Sequence, residues 1–158
     1  MSNISLSPRE TVLASSAAQL SHTGDTNEHV FATITVPAGA MGINDILEVD
    51  THWSVTNNAN AKTCRVRLGG VSGTQFLTVS PASNVQFQDK RRIRNRGALN
   101  SQVGFSAGSA TAFNTSSGAV VTGAVDMSVA QDIVISAQLG NSGDTVNLES
   151  YDVVIRRR

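Results

Sequence analysis

Ten of the twelve basic residues in this 158-residue chain are arginines, and five bases crowd into Lys90-Arg91-Arg92-Ile93-Arg94-Asn95-Arg96. A second run, Arg156-Arg157-Arg158, closes the sequence. Guanidinium groups make two-point, charge-assisted bonds to carboxylates and phosphates, so their clustering is a recognition signal before it is anything else. In an extended chain Arg92, Arg94 and Arg96 share one face. Three readings stand side by side. The run can be a solvated strand face, a subunit interface that meets acidic residues of a neighbouring chain, or a polyanion-binding strip. The third lacks the aromatic residues that interleave with arginines in single-strand binders. It also lacks a chain-wide basic excess, since twelve bases are balanced by twelve acids. The candidate interface residues are therefore Lys90, Arg91, Arg92, Arg94, Arg96, Arg156, Arg157 and Arg158.

Other reactive side chains are few. The histidines are His22, His29 and His52, and the sequence carries no nucleophile elbow, no His-Glu-x-x-His and no phosphate-binding glycine loop. Cys64 alternates with charged neighbours in Cys64-Arg65-Val66-Arg67-Leu68, which turns its thiol toward a core and gives it a structural role. A single cysteine also excludes an intrachain disulfide framework and a multi-cysteine zinc module. His22-x-x-Asp25-x-x-Glu28-His29 gathers metal-capable groups, but at the spacing of no standard zinc or calcium loop. It reads as a polar connection. His52 falls on the polar side of its segment with Glu48 and Asp50, as a surface histidine beside carboxylates does. With one Trp and one Tyr, the stacking platforms of a carbohydrate module are scarce. The expectation is no catalytic residue, no metal and no cofactor: not an enzyme.

The elements that must position these residues follow a period of two. Cys64–Leu68 and Asn84–Gln88 alternate strictly, and Leu47, Val49, Thr51, Trp53 and Val55 line one face of a longer run. Val30, Ala32, Ile34 and Val36 are expected on one face of another strand. Val120–Met127, Gln131–Leu139 and Thr145–Arg156 are rich in β-branched residues. Turn signals separate the runs: Pro37-Ala38-Gly39, Asn57–Asn60, Gly69-Gly70 and Asn141–Asp144. Thr11-Val12-Leu13 favours a strand over the helix that Ser7-Pro8-Arg9-Glu10 could open. Ala14–Asn27 reads as a long irregular connection between sheets, and 106–119 as a flexible or partner-ordered loop. The pattern predicts an all-β chain with about eight to ten strands and little or no helix, at the spacing of an antiparallel sandwich or barrel. A polar arm over 1–9 and a single domain over 10–158 complete the organisation.

Net neutrality conceals segregation. Residues 1–60 carry −5, residues 61–100 carry +7 and residues 101–158 carry −2. Separated lobes on a neutral chain suit head-to-tail packing in a ring or lattice. No apolar run reaches the length of a membrane span. The first residues lack a basic start followed by an apolar stretch, so the chain is expected to be made in a cytoplasm and kept soluble.

Several strings carry a resemblance. They are Val36-Pro37-Ala38-Gly39-Ala40-Met41-Gly42, Leu47-x-Val49, Trp53-Ser54-Val55-Thr56-Asn57-Asn58, and Lys62-Thr63-Cys64-Arg65-Val66-Arg67-Leu68-Gly69-Gly70. To these add Ile93–Gly97 with Asn100-Ser101-Gln102, and Gln138–Asn141 with Asp144–Tyr151. The set resembles small jelly-roll domains of tailed-bacteriophage virion proteins over about residues 28–156. Cys64 and the dense Lys90–Arg96 run depart from that pattern. The resemblance implies a jelly-roll sandwich, commonly trimeric, used in capsid decoration or cement proteins, head fibres and tail-fibre tips. It brings no catalytic residues. The expected role is a decoration protein that binds the outer capsid surface as a homotrimer. Its partners would be the major capsid protein and its own copies, with no direct nucleic acid and no membrane. A tail-fibre or baseplate tip that binds a host receptor, and a glycan-binding or glycan-acting sandwich, are the alternatives.

Overall fold

The computed structural model describes residues 9–108 and 115–158. All but Arg9 of the expected arm, and the centre of the expected 106–119 loop, lie outside the described residues. Eleven strands and no helix form among those described: β1 (Glu10–Ser16), β2 (Leu20–Thr23), β3 (Glu28–Val36), β4 (Ile46–Val55), β5 (Lys62–Leu68), β6 (Thr74–Val79), β7 (Gln86–Asn95), β8 (Gln102–Gly104), β9 (Val121–Gly123), β10 (Gln131–Leu139) and β11 (Thr145–Arg156).

They make two antiparallel sheets. The larger runs β1-β11-β4-β7-β8-β9, with β2 also paired to β11, and the smaller runs β3-β10-β5-β6. β1 holds the Tyr151–Arg156 half of β11 and β2 holds the Thr145–Leu148 half, so the two act as one interrupted edge strand. Counted that way, four strands of each sheet interlock as a jelly roll. The chain passes back and forth between the sheets, and non-neighbours in sequence become neighbours in space. β8 and β9 extend the larger sheet beyond β7.

Alternation explains the layering. The inward face of β4 is Leu47, Val49, Thr51, Trp53 and Val55, as the period predicts, and all five are buried. Val66, Leu68, Phe76, Leu77, Ile133, Ile135, Val146, Leu148, Val153 and Ile155 close the core from the other strands. Cys64 belongs to it, wholly buried.

Three expectations need correction. Ala14–Asn27 is not one irregular connection, because β1 continues to Ser16 and β2 occupies Leu20–Thr23. β2 is a short polar edge strand, held by main-chain bonds to β11 rather than by an apolar face, so alternation could not reveal it. In β3, Ala32, Ile34 and Val36 face the core as expected, but Val30 does not. A bulge against β10 shifts the register, pairing Ala32 with Ile135 but Val30 with Ser136. The extra residue flips the faces on its far side. Phe31 therefore packs on the core, edge-on to Trp53 at 5.6 Å, while Val30 is exposed. The strand expected over Val120–Met127 shortens to Val121–Gly123.

The turns fall at two ends. At one, Gly24–Asn27, Thr56–Ala61, Ser80–Val85 and Gly140–Asp144 gather. At the other are Pro37–Asp45, Gly69–Gly73, Arg96–Ser101 and Ala124–Ala130, together with Arg9 and Arg156–Arg158. The second end carries the basic residues of interest.

Candidate functional site

The basic run lies on β7, which pairs with β4 so that Arg92 sits opposite Glu48, Lys90 opposite Asp50 and Arg94 opposite Ile46. On its other side β4 pairs with β11, bringing Arg156 opposite Ile46. The solvent side of the larger sheet thus lays bases of β7 and β11 across acids of β4. Lys90 Nζ lies 3.2 Å from Glu48 Oε1 and 3.1 Å from Asp50 Oδ2. Arg92 Nε donates to Glu48 Oε2 at 2.9 Å. Arg156 reaches Glu48 Oε1 at 3.2 Å and Glu10 Oε1 at 3.0 Å.

Glu48 is the hub of this network. Burial pushes its carboxyl up, but the hydrogen bonds from Arg156, Arg92 and Lys90 outweigh burial and hold it below the usual carboxylate range. The bond from Lys90 to Asp50, helped by Glu48, raises the ammonium's affinity for its proton. A β-branched or neutral residue at position 48 would leave three cations facing one another.

Arg91 is not part of this surface. The pleat turns it inward, where it is 1 % exposed. Its Nε and Nη2 bond Asp89 Oδ2 and Oδ1 at 2.7 and 2.8 Å, and its Nη1 donates to the Ser106 carbonyl at 2.8 Å. Burial pushes the Asp89 carboxyl up to about 6 against the pull of Arg91. This interior fork ties β7 to the segment that follows β8. It joins two positions of one strand face, and sequence spacing alone cannot tell it from a surface pair.

The remaining members differ. Arg157 is exposed and its Nη1 donates to Thr11 Oγ1 at 2.8 Å. Arg94, Arg96 and Arg158 have no carboxylate within ion-pair distance among the described residues and line one open hollow of about 440 Å³ with Asn44, Asn95 and Val103. Burial, Arg158 and Arg92 all lower the affinity of Arg94 for its proton. Arg92, Arg94 and Arg96 do not act as one face: Arg92 is paired, and Arg96 lies beyond the end of β7.

The other candidates separate into structural roles. His22 lies 3.7 Å from Asp25 and stacks on His29 at 4.7 Å. Glu28 turns away from them to the outer face of the smaller sheet, where it pairs with Arg67 and Arg65 and accepts a 2.6 Å bond from Ser136 Oγ. Among the described residues no three metal-capable groups converge. His52 faces Gln86, at 3.0 Å, rather than Glu48 or Asp50. Burial pushes the Cys64 thiol up to about 12, which keeps it a neutral core side chain.

Two polar clusters were not legible beforehand. Lys62 is fully buried, its Nζ bound by Asn58 and by the Asn60 carbonyl at 2.9 Å, and 3.7 Å from Asp144. Asn58 and Asn60 donate to Asp144 at 2.7 and 3.0 Å, and with Lys62 they hold that carboxyl below its ordinary value despite desolvation. This cluster locks two turns of the first end together. The second depends on a bulge at Glu149 in β11, which sends its carboxylate to Ser54 and Gln19. The Asn57–Asn60 and Asn141–Asp144 turn signals mark the first cluster's location but not its pairing.

No protein-family model matches the chain, and no curated protein matches it. Solved structures give weak likenesses. The VP2 subviral particle of infectious bursal disease virus aligns with a TM-score of 0.40 and 12 % identity, covering 100 % of this chain and 37 % of that one. The Gx strain of the same virus gives 0.37 and 9 %, covering 98 % and 36 %. A structure described as "CBM4 structure and function" gives 0.33 and 13 %, covering 89 % and 94 %. The chain thus spans little more than a third of the infectious bursal disease virus chains. At these scores the comparisons report a likeness and carry no functional argument.

Proposed function

We propose that this chain is a virion structural protein, a capsid decoration (cement) protein of a tailed bacteriophage that binds the outer shell as a homotrimer and stabilises it. Its partners are its own copies and the major capsid protein, and it performs no catalysis. A jelly roll by itself hosts unrelated functions. The observation that carries the reading is the residue-level resemblance over 28–156, and the observed strand order is consistent with it. The second end adds support, because three arginines there, Arg94, Arg96 and Arg158, have no carboxylate within ion-pair distance among the described residues and suit an acidic partner. The glycan reading has less behind it. Among the described residues Trp53 and Phe76 are buried and the other aromatic rings of Phe and Tyr are half-buried, which leaves no exposed stacking platform.

The test is to add purified chain to shells that lack it and follow co-sedimentation and the temperature of shell disruption. The expected result is saturable binding by a trimer and a higher disruption temperature. Arg94→Glu with Arg158→Glu should weaken binding, most visibly at low salt. Failure of a well-folded chain to bind any such shell overturns the proposal.

A further inference from the structure

The hollow at the second end is built differently from the rest of the basic surface. Its arginines come from three places: Arg94 from the last part of β7, Arg96 from the turn after it, and Arg158 from the segment after β11. The backbone beneath them is fixed. Arg96 N–H donates to the Ser101 carbonyl at 2.7 Å, and Arg158 N–H donates to Asp45 Oδ1 at 3.0 Å. Asn44 holds a left-handed φ of 69° while its Oδ1 accepts from Gly97 N–H at 3.2 Å. Asn95 is buried, and its amide is saturated by the Met41 and Gly42 carbonyls and by Gln102. Val103 adds an apolar wall.

Asp45 adjoins the hollow, next to Asn44 in the chain and bonded to the Arg158 main chain. It is buried, and its two oxygens accept from Gly42 N–H and Arg158 N–H. It braces the hollow rather than filling it. Nearby bases are balanced internally: Lys90 by Glu48 and Asp50, Arg92 by Glu48, Arg156 by Glu48 and Glu10. Three guanidinium groups that line one hollow, with no carboxylate within ion-pair distance among the described residues, repel one another, and an anion bound among them relieves that repulsion. The volume, about 440 Å³, falls within the range of small-ligand sites.

We propose that this hollow is an oxyanion site, taking a ligand with two or more carboxylate groups through two-point bonds from Arg94, Arg96 and Arg158. The site does not depend on a place in a virion. A free polycarboxylate and an acidic peptide segment share the required chemistry, and they differ in reach: the first is contained by the hollow, whereas the second continues past its rim.

Isothermal titration of the full chain with citrate and, separately, with tetraglutamate tests this. The expected result is saturable one-site binding of at least one probe at fixed ionic strength. Arg94→Gln and Arg158→Gln should each weaken it by roughly tenfold, as loss of a charge-assisted pair does. Arg65→Gln, whose charge lies on the other sheet beside Glu28, should leave it unchanged. Tighter binding of tetraglutamate identifies a protein partner as the source, and tighter binding of citrate identifies a small molecule. Thermal unfolding with each probe gives a second readout, since a ligand that binds only the folded state raises the midpoint. Heats that never saturate, or that fall equally in Arg65→Gln and Arg94→Gln, reduce the effect to general charge screening and overturn the site. So does preferential binding of a nucleic-acid strand over both carboxylate probes.

Discussion

Arg91 and Asp89 show how one residue's direction decides its meaning. Both sit in a run that looks like a surface strip, yet the pleat buries them as an ion pair. Removing one partner of such a pair is costly, because the other charge stays buried. Arg91→Met should therefore lower stability by about 3–5 kcal/mol at neutral pH, measured by urea unfolding. The pH dependence follows from Asp89, whose affinity for a proton is raised by burial from an ordinary 3.8 to about 6. The folded state then holds more protons than the unfolded state between those values. This group's stabilising contribution is full below the lower value and is lost as pH rises through the upper one. Without Arg91 to favour the carboxylate, the window moves higher still, so the penalty of Arg91→Met should be smaller at pH 5 than at pH 7. An equal penalty at both would contradict a protonating Asp89. Glu48 and Glu28 act in the opposite sense. Their carboxyls are held below the ordinary value, so their contribution is present at neutral pH and fades as pH falls through and below the usual carboxylate range.

At the scale of elements, β4, β5 and β7 were legible because burial of one face writes a period of two into the sequence, whereas β10, buried on both faces over Ile133–Ala137, and β11 were legible from their β-branched residues. β2 was not, since a polar edge strand is held by its neighbour's main chain. β3 was legible as a strand and in the facing of Ala32, Ile34 and Val36, but not at Val30 and Phe31, where one bulged residue reverses the alternation. That correction has a direct consequence. Phe31→Ala should destabilise by about 2 kcal/mol, a half-buried share of the usual loss for a core phenylalanine, whereas Val30→Ala should change stability by less than about 0.5 kcal/mol. The reverse order, measured by denaturant unfolding, would restore the unbulged strand. The site divides in the same way. Sequence spacing located the bases of β7 and the Arg156–Arg158 run. It could not show that Glu48, from a strand some forty residues earlier, pairs with three of them, because that pairing exists only in the register of β4 with β7 and β11. What the sequence offers as one strip of eight bases is, in the fold, a buried fork, an ion-pair network, an Arg157 bonded to Thr11 and an open group of three.

For the whole molecule, the jelly roll closes its own core and gathers its turns at the two ends of the sandwich. One end is locked by Lys62, Asp144, Asn58 and Asn60, and the other presents Arg94, Arg96 and Arg158. Under the proposed role, three arginines gathered at one end suit directional attachment, in which charge sets orientation and buried apolar area elsewhere sets strength. The measurement that tests the proposed role most directly is the chain's copy number in purified particles, by quantitative mass spectrometry against the major shell protein. A decoration protein should be present at a ratio comparable to that of the shell protein. A few copies per particle would place it at a tail or vertex instead, and absence from particles would contradict the virion role altogether.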